Sequence, residues 1–297
     1  MKNTKYALCV FGCYGLWGIL PVFYKVFNDL PAMYALAVRT IWSLPVCIVI
    51  VLFLRRTGDV KKVLKNKRTL LLVTLAGVIM CLSNLVYVLA LSLNRIVEMS
   101  LGYFIQPLIT VVLGIIFFKE RLNKMEGTAI ALATIGVCMM IFRMGSLPWI
   151  ALLAAIILPV YCVVKRFAGV DSEVSATVEN LMVFPFFLIY ALFIDFGGGG
   201  SASVFSGVQL LYVPLAGLFN VLPVFMLGIG VNNISLALVG VLGYISPTLQ
   251  LLLGVLLYKE AFSAGHLLAF AFIWAAIILF SVSSFRKSKL EAGLDNS

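Results

Sequence analysis

Charge is scarce in this sequence. Of 297 residues, 11% are charged and 63% hydrophobic, against about 25% and 45–50% in soluble domains. A water-facing globule of this size cannot hide so much apolar surface, and the same composition excludes disorder and collagen. Histidine occurs once, at His266 near a predicted helix end, so no His-based metal cluster and no Ser-His-Asp set can be assembled. No Walker loop is present. The chain therefore reads as no enzyme, with no metal and no cofactor; an intramembrane enzyme working through Glu or Lys alone is the minor alternative. The six cysteines, Cys9, Cys13, Cys47, Cys81, Cys138 and Cys162, all fall in apolar runs without a CxxC. That excludes a disulfide scaffold and makes them small buried hydrophobes. No two glycines stand four residues apart, so the simplest helix-dimer motif is missing. Lipid-facing and partner-facing apolar surfaces look alike in sequence, and the oligomeric state is left open.

What the sequence has in abundance is apolar runs of bilayer-spanning length. They fall at 6–27, 32–54, 69–91, 96–118, 124–142, 147–164, 175–195, 208–231, 235–258 and 264–285, and predict an all-α polytopic membrane protein of ten transmembrane helices with short loops. The first run follows Lys2 and Lys5 but continues to about Phe27 with no small-residue cleavage site, so it reads as an uncleaved helix. Prolines inside these runs, Pro21, Pro45, Pro107, Pro159, Pro185, Pro214, Pro223 and Pro247 among them, are tolerated where neighbours satisfy the freed carbonyls, and such kinks often flank cavities.

The net charge of +10 belongs to the bilayer rather than to nucleic acid, because the basic residues sit between apolar runs and not on one face. With a cytoplasmic N-terminus, 17 of the 22 lie in inside segments, including 55–68, 119–124, Lys165–Arg166 and 286–289. Arg95, Arg143 and Lys259 are left outside, and Lys25 and Arg39 fall within helices. This asymmetry places both termini in the cytoplasm. The 55–68 run reads as a solvated loop anchor, with acidic lipid or nucleic acid as alternatives. Gly197–Gly200 with Ser201 and Ser203 reads as a flexible outer loop.

A repeat is written into the chain. Leu101-Gly102-Tyr103 leads to Pro107, then Gly114 and Lys119-Glu120; Leu242-Gly243-Tyr244 leads to Pro247, then Gly254 and Lys259-Glu260. From each proline the glycine is seven residues on and the Lys-Glu pair twelve and thirteen. The copies fall on helices 4 and 9 of the predicted ten, an odd number of crossings apart, which inverts one relative to the other. Two inverted five-helix repeats, 1–142 and 143–297, are an arrangement of secondary transporters, with a substrate site near the midplane.

Polar groups in such a chain are site candidates, because charge inside a bilayer is costly. At about 1.5 Å per residue, Lys25 and Glu98 lie roughly 5 Å deep from the outer side and Arg39 roughly 12 Å. Glu179 lies at a similar shallow depth from the inner side, as an inner gate or an interfacial residue. Helical spacing groups Trp17 and Pro21 with Lys25, Trp42 and Ser43 with Arg39, and Gly102 and Gln106 with Glu98; Asn84 and Tyr87 add a polar edge. With Tyr103 and Tyr244 from the repeat motif, these residues predict a cavity for a small amphipathic or zwitterionic molecule. Glu98 or Glu179, partly desolvated, could exchange a proton with it.

The residues Glu98 to Leu108, with Gly114 and Lys119-Glu120-Arg121-Leu122, Gly145 to Leu152, Tyr161 with Lys165-Arg166, and Phe272-Ile273-Trp274, resemble the drug/metabolite transporter superfamily, its EamA family, and within that the RarD branch. Arg39 with Ile41-Trp42-Ser43, and Glu179 before Pro185, are similar to the same pattern. The resemblance covers nearly the whole chain. It implies ten helices in two inverted repeats, and transport of small molecules such as amino-acid-like metabolites or drugs across the bacterial inner membrane, usually outward. Gln106 stands where the branch has Asn, and Gly243 where it has Gln, which changes the lining of the expected cavity. The expected partners are a small-molecule substrate and the lipid bilayer, with no nucleic acid; a membrane-embedded sensor that moves no solute is the alternative.

Overall fold

The structure is a computed structural model and describes residues 2–24, 30–93, 96–144, 149–196, 207–257, 268 and 271–283. Among these residues there is helix and no strand. The helices are α1 (Lys2–Tyr24), α2 (Ala32–Phe53), α3 (Thr57–Lys65), α4 (Lys67–Ser92), α5 (Ile96–Phe118), α6 (Lys124–Met144), α7 (Trp149–Ala168), α8 (Ser172–Ile194), α9 (Gly207–Asn233), α10 (Leu236–Leu242) and α11 (Ile245–Leu257). A last helix, α12, covers Ala271–Ser283. Seven helical stretches among the described residues are long and apolar enough to cross a membrane, so the chain is a polytopic helical membrane protein.

The bundle is held by close helix pairs rather than by a water-driven core, since lipid is as apolar as the side chains. The principal pairs are α5 with α7, α4 with α7, α2 with α8 and α9, α1 with α9 and α11, and α5 with α10. Glycines set the distance at several of them. A Cβ on Gly102 would stand 2.6 Å from the Ala151 carbonyl oxygen of α7, and one on Gly217 of α9 would stand 2.5 Å from the backbone carbon of Trp42 in α2. Polar ties add direction: Asn220 of α9 donates to Ser43 of α2 at 2.9 Å, and Tyr34 of α2 donates to Asp195 after α8 at 3.0 Å.

Two expectations change here. The ninth apolar run is not one helix. Pro247 has no N–H to give to the Gly243 carbonyl, and the chain tightens at Gly243 and Tyr244 into bonds three residues back, to Gly240 at 2.8 Å and Val241 at 3.3 Å, before α11 resumes. The basic 55–68 run is not a loop but carries α3, which buries Val63 with Val73, Val174 and Val178. Arg56 pins it, reaching Asp59 at 3.0 Å, Asp171 at 3.2 Å and Glu173 at 3.7 Å. Lys62 and then Arg56 hold the Asp59 carboxyl below the usual range, so this tie survives until strongly acidic pH.

Helix ends are satisfied by side chains. Asn123 and Glu126 cap α6 reciprocally, each accepting from the other's backbone N–H at 2.9 and 2.8 Å, and Asn123 also donates to Ser283 of α12 at 2.7 Å; the reciprocal pair is a capping box. All six cysteines are free thiols.

Gly102 and Gly127 separate packing from helix propensity. We predict that Gly102→Ala lowers the melting temperature of the detergent-solubilised protein, because its methyl meets backbone. Gly127→Ala, with nothing within 4 Å of the new Cβ, leaves it unchanged or raises it by the helix-propensity gain, up to about 1 kcal/mol.

Candidate functional site

Between α1, α2, α4, α5, α8, α9 and α11 lies a cavity of about 850 Å³, large enough for a drug-sized molecule. Its lining runs from Leu30 and Ala32, where α2 begins, to Gly77 and Glu179 deep in the bundle. Arg39, seven residues into α2, is the cation on its wall, and donates to the Asn84 carbonyl of α4 at 2.8 Å. Asn84 in turn donates to the Met80 carbonyl at 3.0 Å. That orients the amide oxygen toward the guanidinium. Aromatic rings supply much of the remaining wall: Trp17 with Tyr14 packed edge-on at 5.6 Å, Tyr87, Tyr103 and Phe104. Amides of Gln106, Asn180, Asn220 and Gln250 punctuate it. Among the described residues such a wall offers one positive charge, several adaptable hydrogen-bonding groups and flat apolar faces.

The deep wall is a buried charged cluster. Lys165 of α7 has no exposure and Glu179 of α8 has 3%; their ammonium and carboxylate meet at 2.7 Å. Tyr161 donates to the other carboxylate oxygen at 3.0 Å, Lys165 also donates to Tyr161 at 2.9 Å, and Ser175 donates to the carboxylate. Each helix supplies its two members at a spacing of four, so both pairs stand one turn apart on a single face. Neighbouring helices close on the cluster through glycine: Gly77 of α4 abuts the Glu179 backbone, and a Cβ on Gly228 of α9 would stand 2.5 Å from Lys165 Cε. Both charges are compensated and hydrogen-bonded, which burial demands.

Beyond the cluster the bundle end is latched by Glu120. Its carboxylate accepts from the backbone N–H groups of Leu236 at 2.7 Å and Ala237 at 2.9 Å, the first turn of α10, and from Arg166 at 2.8 Å. Ser235 caps the next N–H, of Leu238, at 3.3 Å. Three of the unpaired donors of α10 are thereby met, with a negative charge at the positive end of the helix. Gly114 makes room: a Cβ there would stand 2.7 Å from the Glu120 carboxylate. A second, polar recess of about 340 Å³ lies on this side, lined by Arg166, Asp171, Ser172, Glu173 and Asn232 among others.

Of the predicted site residues, Trp17, Arg39, Asn84, Tyr87, Tyr103, Gln106 and Glu179 line the one cavity. Trp42 does not. It is 40% exposed on the outside of the bundle, because the cavity side of α2 is the face of Leu36, Arg39 and Thr40, and Ser43 turns instead to Asn220. Tyr244 is buried beside the cavity, between Gly243 and Ser246 that line it, and among the described residues its hydroxyl has no hydrogen-bond partner. Lys25 and the side chain of Glu98 lie outside the described residues. Lys165, which its sequence position assigns to the inside loop, is an interior residue, because Glu179 stands opposite to neutralise it. Its role, and those of Tyr161 and Ser175, were signalled in the sequence by the Tyr-x-x-x-Lys and Ser-x-x-x-Glu spacings.

Residues 4–142 match the EamA-like transporter family. A Bacillus subtilis protein named as an uncharacterized transporter, YojE, is 36% identical over 271 residues, 90% of each chain. RarD proteins are similar over most of their length: that of Salmonella typhimurium is 33% identical, covering 94% of this chain and 95% of its own, and that of Streptomyces exfoliatus 30%, covering 94% and 89%. A solved crystal structure 22% identical to the chain shares its fold with a TM-score of 0.73, over 94% of this chain and 98% of that one.

The buried pair yields a thermodynamic cycle. Lys165→Met leaves the Glu179 carboxylate uncompensated and is expected to destabilise the protein by about 3–5 kcal/mol. Lys165→Met combined with Glu179→Gln recovers much of that loss, read as melting temperature in detergent. Additive losses in the double variant would mean that the two groups are not coupled.

Proposed function

We propose that this chain, which belongs to the EamA-like transporter family and to its RarD branch, is a secondary transporter that moves small amphipathic metabolites or drugs outward across the bacterial inner membrane by alternating access. It catalyses no reaction. The observation that carries the reading is a large cavity with a cation, amides and aromatic rings on its wall, bounded on its deep side by Lys165–Glu179, with Glu120–Arg166 beyond as the other tie of a sealed end.

In this reading the chain is built of ten helices as two inverted repeats, 1–142 and 143–297. The contact pattern supports it. Exchanging α1 with α7, α2 with α8, α4 with α9, and α5 with α10 and α11 turns the pair α5–α7 into α11–α1, α4–α7 into α9–α1, and α4–α8 into α9–α2, and leaves α2–α8 and α5–α10 in place; all of these are packed pairs. Rocking of one repeat on the other can then open either end around a fixed site. The sealed end carries Arg56, Lys119, Arg121 and Arg166, which supports its being cytoplasmic, with both termini on that side. The conformation is then open outward.

Arg39 binds an anionic or electronegative group of the substrate, held ready by Asn84, while Trp17, Tyr87 and Tyr103 take its apolar part and Gln106 a polar one. Glu179 is the proton carrier. When it takes a proton, the buried Lys165 ammonium loses its counter-charge and keeps only the neutral acceptors Tyr161 and Ser175 at 2.9 and 3.3 Å, and that cost loosens the seal.

Counterflow in proteoliposomes tests both assignments, with a pooled bacterial metabolite extract, amino acids and chloramphenicol offered and the lumen read by mass spectrometry. A solute that exchanges saturably, and at least about tenfold less in Arg39→Ala, is the expected result; equal exchange in the variant removes Arg39 from the site. Glu179→Gln is expected to abolish stimulation by a pH gradient. Undiminished stimulation would place the proton elsewhere.

A further inference from the structure

Independently of transport, α3 presents a basic surface. Arg56 gathers the three carboxylates of this corner, Asp59, Asp171 and Glu173, and Val63 is buried beneath. Lys61 and Lys65, two residues either side of Val63, stand on the opposite face of the helix. Both are exposed, as are Lys67 and Arg68 at the start of α4. The carboxylate nearest to them in sequence, Asp59, is already shared between Arg56 and Lys62. Four exposed cations thus stand together, two on the docked α3 and two at the start of α4, while Asp59, Asp171 and Glu173 are engaged by Arg56.

The same corner carries a belt of apolar side chains. Phe53 is 86% exposed and Leu54 44% at the end of α2, and Leu71 is 68% exposed one turn into α4. Cations at this height, immediately next to side chains suited to acyl tails, match the cross-section of a phospholipid: phosphate outside, hydrocarbon inside. A nucleic acid would find the charge but no use for the apolar belt.

We propose that α3 and the first turn of α4 form a binding surface for anionic phospholipid headgroups of the adjoining leaflet, with Lys61, Lys65, Lys67 and Arg68 as the phosphate-facing residues. The phosphate is held by point charges on mobile side chains, so binding is selective for net negative charge over the zwitterionic headgroup and is weakened by salt. Arg56 does not contact the lipid; it positions α3.

Native mass spectrometry of the full chain in neutral detergent reads this directly, with phosphatidylglycerol and phosphatidylcholine supplied at equal concentration. Expected is retention of phosphatidylglycerol at least about tenfold above phosphatidylcholine, lost in the variant Lys61→Gln/Lys65→Gln/Lys67→Gln/Arg68→Gln, which keeps Arg56, Lys62 and Val63. The unaltered chain gives a second reading that needs no variant: raising the salt from 50 to 500 mM before lipid removal is expected to erase the preference. Equal retention of the two lipids, a preference unchanged in the variant, or one indifferent to salt overturns the proposal. So does competition by inorganic phosphate at the lipid's own concentration, which would make the site one for the free ion, or displacement of the lipid by a short oligonucleotide at that concentration.

Discussion

A lysine with no exposure, in a helix that crosses a bilayer, has to find a negative charge inside the protein. Lys165 finds Glu179, and that contact ties α7 directly to α8, two helices that otherwise meet through α4 and α9. Water cannot help either group, so the hydrogen bonds that complete the pair come from Tyr161 and Ser175, one turn away on the same two helices. The backbone of α4 and α9 then closes over the cluster through Gly77 and Gly228, where a larger residue would strike Glu179 or Lys165. The cavity ends where this plug begins. Cavity and plug are two sides of one electrostatic requirement.

Glu120 extends the same logic to the end of the bundle. α10 starts inside the protein with backbone donors that no helix can satisfy for itself, and a carboxylate from α5 supplies what they need while holding Arg166 of α7. The Gly-x-x-x-x-Lys-Glu ending of the sequence repeat acquires a physical meaning: the glycine clears the space, Lys119 turns the chain in the left-handed conformation at φ 53°, and the glutamate folds back. Opening this end requires the carboxylate to leave α10 or to take α10 with it. The second copy of the motif, Lys259-Glu260, lies outside the described residues.

Much of this was legible in the sequence, and the parts that were not share a cause. Hydropathy reads the apolar helices well, because each residue's burial in lipid is an independent signal; the boundaries of α2 and α5 fall within a residue of the runs that predicted them. Helical spacing alone did not say which face of α2 is turned inward. Trp42 and Arg39 are three residues apart and were assigned together, yet the close approach at Gly217 sends Trp42 outward. Lys165 was read as a loop cation because positive charge at a helix end is usually interfacial; only its pairing with Glu179, across fourteen residues of chain and a turn, reveals it as interior. The amphipathic α3 was hidden by its charge, since its single buried residue, Val63, is a weak signal among three lysines.

Alternating access requires the sealed end to be a gate that opens. Asn84, on the cavity wall and bonded to Arg39, is the place to ask. In a cysteine-free background carrying Asn84→Cys, the rate of labelling by a membrane-impermeant maleimide is measured from each side in oriented vesicles, with Glu120 intact and as Glu120→Gln. The account predicts labelling mainly from the outer side with Glu120 intact, and a shift toward the cytoplasmic side when the carboxylate that latches α10 is neutralised. Labelling from the outer side alone in both proteins would contradict it.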